Sequence, residues 1–202
     1  MKDELENFKI TYGFRDCDVT FFSYGSRVYG TATDKSDYDF LAVVPANYKQ
    51  ITGEEFRYHD VNIHCYNEID WQNQLHKHKI HCLEAYYLPD GICKKKFTFK
   101  LDKARLRCEL SEKASHSFVK AKKKIDVEKD YYTGWKSLFH SLRILNFGIQ
   151  IATLGEIKDY SAANSYWNDI IGDAHYEWQF YKTMYQPIYN ELSSKFKKVA
   201  PK

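Results

Sequence analysis

The spacing of apolar positions changes once along this chain. In the first seventy residues they come in short runs bounded by turn formers. "DVTFFSY" (18–24) is β-branched and aromatic and stops at Gly25, and "YDFLAVV" (38–44) is closed by Pro45, so both predict buried strands. "DVNIHCY" (60–66) alternates, with Asp60, Asn62 and His64 on one face and Val61, Ile63 and Cys65 on the other, the period of a half-buried strand. From Asn67, a candidate N-cap, the residues Ile69, Leu75, Ile80, Leu83 and Tyr87 predict a helix over 67–89 that Pro89-Asp90-Gly91 breaks. Beyond about residue 101 the pattern is helical, best seen in the stripe Trp135, Leu138, Leu142, Leu145, Ile149, Ala152, with Gly155 as its stop. The expected fold class is α+β: a small mixed sheet with flanking helices over 1–105, then a helical subdomain over 106–202. No Gly/Ser- or Pro-rich linker separates the two.

Composition narrows the class. At 202 residues, 44% hydrophobic with only 9 Gly and 4 Pro, the chain is long and apolar enough for a packed core, which excludes a disordered or low-complexity protein. Lys and Arg exceed Asp and Glu by three, 30 against 27, so net charge permits a nucleic-acid partner without requiring one. The positive charge is gathered in 94–107, 120–125 and 195–202, segments that read either as solvated faces or as an anion-binding surface. Five cysteines without a Cys-x-x-Cys pair argue against a disulfide framework and for a reducing compartment. The charged start "MKDELENFKI" has no apolar leader core, and no run of 18 apolar residues occurs, so the expectation is a cytoplasmic protein with no membrane partner.

Candidate chemistry lies in "YGSRVYGTATDKSDYDFLAVV" (24–44). Residues i and i+2 of a strand point the same way, so Asp37 and Asp39 project from one face, roughly 6 to 7 Å apart at the backbone. Two acids that close repel unless a cation neutralises them, and Mg²⁺ is usually held by one or two carboxylates while phosphates complete its shell. A two-ion site of this kind serves in-line phosphoryl displacement. Asp60, heading the next strand, is the candidate third acid, whereas Glu68 and Asp70 fall where a helix start favours acids anyway. Gly25 directly after a strand lets backbone amides approach an anion closely, with Ser26 adding a hydroxyl and Arg27 a nearby positive charge. His78 and His81 stand three apart in "HKHKIH", but no acid or thiol stands at matching spacing, and a solvated helix is the simpler reading. Cys82 and Cys93 read as buried thiols.

Gly-Ser and Asp-x-Asp are each common in turns, and the order in which they occur carries the information. A strand, Gly-Ser, a polar loop, then Ser-Asp-x-Asp entering an apolar strand resembles the DNA polymerase beta-like nucleotidyltransferase superfamily. "DVNIHCYNEIDWQNQL" and "SLFHSLRILNFGIQIATLGEI" (137–157) are similar to later segments of its bacterial and phage members, which include RNA-repair-associated ones. The resemblance covers about 18–160 and implies transfer of a nucleoside monophosphate from an NTP, ATP foremost, to an acceptor hydroxyl with release of pyrophosphate. It implies that Gly25 and Ser26 contact the triphosphate, that Asp37 and Asp39 bind Mg²⁺ in a two-ion site, and that Asp60 is the general base or shared ligand. Lys120, His140 and Arg143 fall where such folds bring positive groups to a triphosphate or acceptor. The basic, tyrosine-rich helical half favours an RNA 3′ end as acceptor. A protein or small-molecule acceptor, or a catalytically idle nucleotide-binding or antitoxin-like module, is the alternative.

Overall fold

Four strands, β1 (Thr20–Tyr24), β2 (Tyr38–Val44), β3 (Thr52–Tyr58) and β4 (Val61–Asn67), pair in the order β1-β2-β4-β3 in the computed structural model, which describes residues 2–201. β1 and β2 run antiparallel, β2 and β4 parallel, β3 and β4 antiparallel, so the sheet is mixed, as expected. Because β2 and β4 are parallel, their N-terminal ends lie side by side, next to the C-terminal end of β1. The chain divides into two units, Met1–Phe99 and Lys100–Lys202.

In the first unit the pleat sorts the side chains onto two faces. Ala42, Val61, Ile63 and Cys65 point to one, where helix α1 (Lys2–Thr11) buries Phe8 against them. On the other, Phe22 stacks on Trp71 of α3 (Glu68–His76) at 5.5 Å between ring centroids, and Tyr66 meets the same indole at 5.6 Å. Between β1 and β2 the chain makes the four-residue helix α2 (Ser26–Tyr29), whose Tyr29 hydroxyl donates to the buried Glu84 of α4 (Ile80–Tyr86) at 2.7 Å. The short α5 (Ile92–Lys96) follows, and its Lys96 ammonium bonds Glu68 at 3.2 Å and Thr20 at 2.9 Å.

The second unit is helical: α6 (Lys103–Asp126), α7 (Tyr131–Leu154), α8 (Asn164–Gly172) and α9 (Trp178–Val199). Leu138, Leu142 and Leu145 of the predicted stripe are fully buried, and Gly155 ends α7 in the left-handed region at φ 79°. No helix among the described residues is long and apolar enough to cross a membrane.

Three local expectations change. Lys2–Thr11, for which no element was expected, forms α1. A fourth strand, β3, appears in "TGEEFRY", whose charged residues and bulge between Thr52 and Glu54 suit the sheet edge it occupies. The single helix expected over 67–89 is two, interrupted where His78 turns to φ 60°. Asn67 is the N-cap expected, its side chain accepting from the Asp70 amide at 3.0 Å.

Candidate active site

The strand ends collect the acidic pair. Asp39 stands in register with Tyr24 of β1 and Asn62 of β4, and Asn62 with Arg57 of β3, so one row of side chains crosses all four strands. Asp37 lies just before β2. The two carboxylates converge: the Asn62 amide donates to Asp37 Oδ2 at 3.1 Å and to Asp39 Oδ1 at 3.3 Å. Arg57 approaches Asp37 at 3.8 Å, but its side chain is 71% exposed, so this ion pair adds little binding energy. The two carboxylates, bridged by one amide, are oxygen donors of the kind a hard dication takes.

Gly25 explains how the loop reaches the pair. It sits at φ 78°, and a Cβ built there would overlap the Asp39 carboxylate, with Asp39 Cβ and Cγ each 2.9 Å away. The backbone before α2 therefore lies directly against Asp39, which no residue larger than glycine permits. Ser26 follows, half-buried. Arg27 is already engaged: its guanidinium lies 3.7 Å from the centre of the Tyr38 ring and donates to the Ser36 carbonyl at 2.6 Å. Those contacts clamp the α2 turn to the entry of β2. Thr33 and Ser36 close the intervening loop, Thr33 N donating to Ser36 Oγ at 2.9 Å.

Asp60 occupies the β3–β4 turn and is exposed, and its carbonyl accepts from Tyr38 N at 2.8 Å. Because Tyr38 pairs with Val61, Asp37 and Asp60 are the residues one step outside that pair on the two parallel chains. Among the described residues, no three His, Cys, Asp or Glu side chains come together as a metal-holding group. The structure thus joins Asp37, Asp39 and Gly25 closely and leaves Asp60 exposed in the β3–β4 turn, one residue before the strand it was expected to head. Sequence reasoning missed Asn62 and Arg57; the period of two that put Asn62 on the Asp60 face was the signal for the first. Glu68 is the first residue of α3 and bonds Lys96, and Asp70 is held by Asn67 and Gln74.

Lys120 and His140 belong to the second unit. Both line a cavity between α6 and α7, and buried Arg143 donates to His140 Nδ1 at 2.7 Å.

Residues 8–106 match a family model described as the nucleotidyltransferase domain. No curated protein and no solved structure shows a match.

Proposed function

With residues 8–106 belonging to the nucleotidyltransferase domain family, of the polymerase beta-like superfamily, we propose that this transferase attaches a nucleoside monophosphate to an RNA 3′ end in a Mg²⁺-dependent reaction. The observation that carries this reading is the convergence of Asp37 and Asp39 on one amide donor, with bare glycine backbone packed against Asp39.

Asp37 and Asp39 are the residues that would hold Mg²⁺, with Asp60 the acid available to complete a two-ion set. Bound there, Mg²⁺ supplies neutralisation of the triphosphate and of the charge that develops on the departing pyrophosphate. The chain's own residues do the rest. Gly25 and Ser26 offer backbone amide and hydroxyl donors to the triphosphate of the NTP, ATP first among them, where the main chain packs against Asp39. Arg27 holds that turn against β2 and so fixes where the phosphates can lie. The acceptor 3′ oxygen bonds to the α-phosphorus, the bond from that phosphorus to the α,β-bridging oxygen breaks, and pyrophosphate leaves. Asp60, exposed in the β3–β4 turn, is the acid proposed to take the proton from the acceptor hydroxyl, a base contributing on the order of 10² to 10⁴ in rate.

The test is incubation of the full chain with each α-³²P-labelled NTP, Mg²⁺ and total RNA. Label on RNA that disappears with Asp39→Asn and falls at least about 100-fold in rate with Asp60→Asn is the expected result. NTP that binds and is never consumed, with any acceptor, would overturn the reading. Label on protein would move the acceptor class.

A further inference from the structure

The cavity in the helical unit has a composition that its packing does not require. α6 contributes Lys113, His116 and Lys120, and α7 contributes Thr133, Lys136 and His140. Both sets are spaced i, i+3, i+7, so each is one stripe along one helix face and the two stripes face a shared space of about 380 Å³. Past the end of the stripe, lysines of α6 meet acids: Lys124 bonds Glu128 at 2.6 Å and Asp130 at 3.2 Å, and Lys123 bonds Glu128 at 3.1 Å. No carboxylate lines this cavity.

Arg143 sharpens the site. An arginine can only donate, so the 2.7 Å bond to His140 Nδ1 makes that nitrogen the acceptor and leaves the ring proton on Nε2. Burial, and after it the Arg143, Lys113 and Lys120 cations, hold His140 well below the usual imidazole pKa. His140 is therefore a neutral N–H donor in a ring of ammonium groups, a lining with donors and positive charge and no acid. One turn before Lys136, Tyr132 stands 53% exposed, and the Lys136 ammonium lies 4.9 Å from its ring centre.

We propose that this groove binds successive phosphates of a single-stranded RNA, with Tyr132 offering a face for base stacking. The stripes favour a strand over a compact anion, because seven residues of helix separate Lys113 from Lys120, about 10.5 Å along the axis. A positively charged groove with an adjacent exposed aromatic is the usual mode for unpaired nucleic acid. The proposal rests on the RNA-acceptor reading above and deepens it.

The test is fluorescence anisotropy of a fluorescein-labelled 12-nucleotide RNA with the full chain, followed across salt from about 50 to 200 mM, the range over which phosphate contacts are resolved. Each phosphate contact on a single strand contributes about −0.7 to the slope of log K against log salt, so Lys113→Gln/Lys120→Gln/Lys136→Gln should flatten the slope by about 2. Tyr132→Ala should weaken binding with the slope unchanged. If the triple variant melts below the wild type, Lys136→Gln alone carries the test, at a change of about 0.7. An unaltered slope overturns the proposal. So does displacement of the RNA by ATP together with equal loss of ATP binding in the variant, which would make the groove a nucleotide site. Asp39→Asn separates the two readings: it abolishes transfer yet keeps RNA binding and its slope, so absent transfer with an intact slope sinks only the catalytic reading.

Discussion

At the scale of single residues the site turns on contacts that leave no room. Gly25 and Gly13 share φ 78°, but a Cβ at Gly13 meets nothing within 4 Å whereas one at Gly25 overlaps the Asp39 carboxylate. Left-handed backbone costs a non-glycine residue about 1 to 2 kcal/mol. Gly13→Ala should therefore lose about that much stability and keep its transfer rate, while Gly25→Ala should also displace Asp39 and lower kcat/KM by on the order of 100-fold, the usual effect of a 1 Å misplacement. Urea unfolding beside rate measurements separates the two, and equal activity in both variants would show that Asp39 need not stay where it is. Asn62 gives a second test. Its amide now satisfies both acids. Asn62→Asp replaces that donor with a third negative charge beside the two already there, and like charges that close repel unless a cation neutralises them. At pH 7 in EDTA the variant should therefore be less stable than wild type. Added Mg²⁺ should restore it, and thermal melts with and without the ion read the difference; a variant as stable as wild type in EDTA would mean that the acids do not interact.

At the scale of elements, what the sequence disclosed depended on how much burial stood behind each pattern. β1, β2, β4 and α7 were legible because their apolar positions are buried: Leu41, Val43, Ile63 and Leu142 are all within 1% of full burial. β3 was not legible, since an edge strand carries charge and a bulge in place of alternation, and only its pairing with β4 makes it a strand. α1 was legible in principle, through Leu5, Phe8 and Tyr12 at steps of three and four, although charged residues outnumber apolar ones across it. The Asp-x-Asp pair could be read because its spacing is local; the Asn62 amide that spans it comes from another strand, and register is a tertiary fact. Helix packing in the second unit is equally non-local. Gly148 of α7 lies where a Cβ would stand 2.7 Å from Cζ of the fully buried Phe196 of α9. Gly148→Ala gains up to about 1 kcal/mol of helix propensity and costs about 1 to 3 in overpacking, so the net effect should be destabilising. Phe196→Leu on top of it should recover part of the loss, a coupling that a double-mutant cycle in urea measures directly; strict additivity would mean that the two do not touch.

At the scale of the whole molecule the five cysteines, all free, divide by burial. Cys65, Cys82 and Cys93 are buried in the first unit, Cys17 is half-buried against the Tyr48 hydroxyl, and Cys108 on α6 is exposed. Burial pushes the Cys93 thiol up to about 12; burial, and after it Glu54, does the same for Cys65; and burial, with Cys93 beside it, raises Cys82 well above its ordinary value. Thiolates are the reactive form, so at pH 8 a disulfide reagent should modify Cys108 fast, Cys17 more slowly, and the other three only as the first unit opens. Cys108→Ser should remove the fast phase, and more than two fast thiols would show that the first unit is not packed as described. The same shifts set an alkaline limit with a definite sign. A thiol whose folded pKa lies above its unfolded value of about 8.5 stabilises the fold fully below that pH and loses its contribution as pH rises toward the folded value. The urea midpoint should therefore fall between about pH 9 and 11, and Cys93→Ala, which removes one ionisation that the fold resists, should shallow that fall even where it lowers stability at pH 7 by leaving a small cavity. A midpoint flat across that range would mean that the thiols ionise as readily in the folded chain as in the unfolded one.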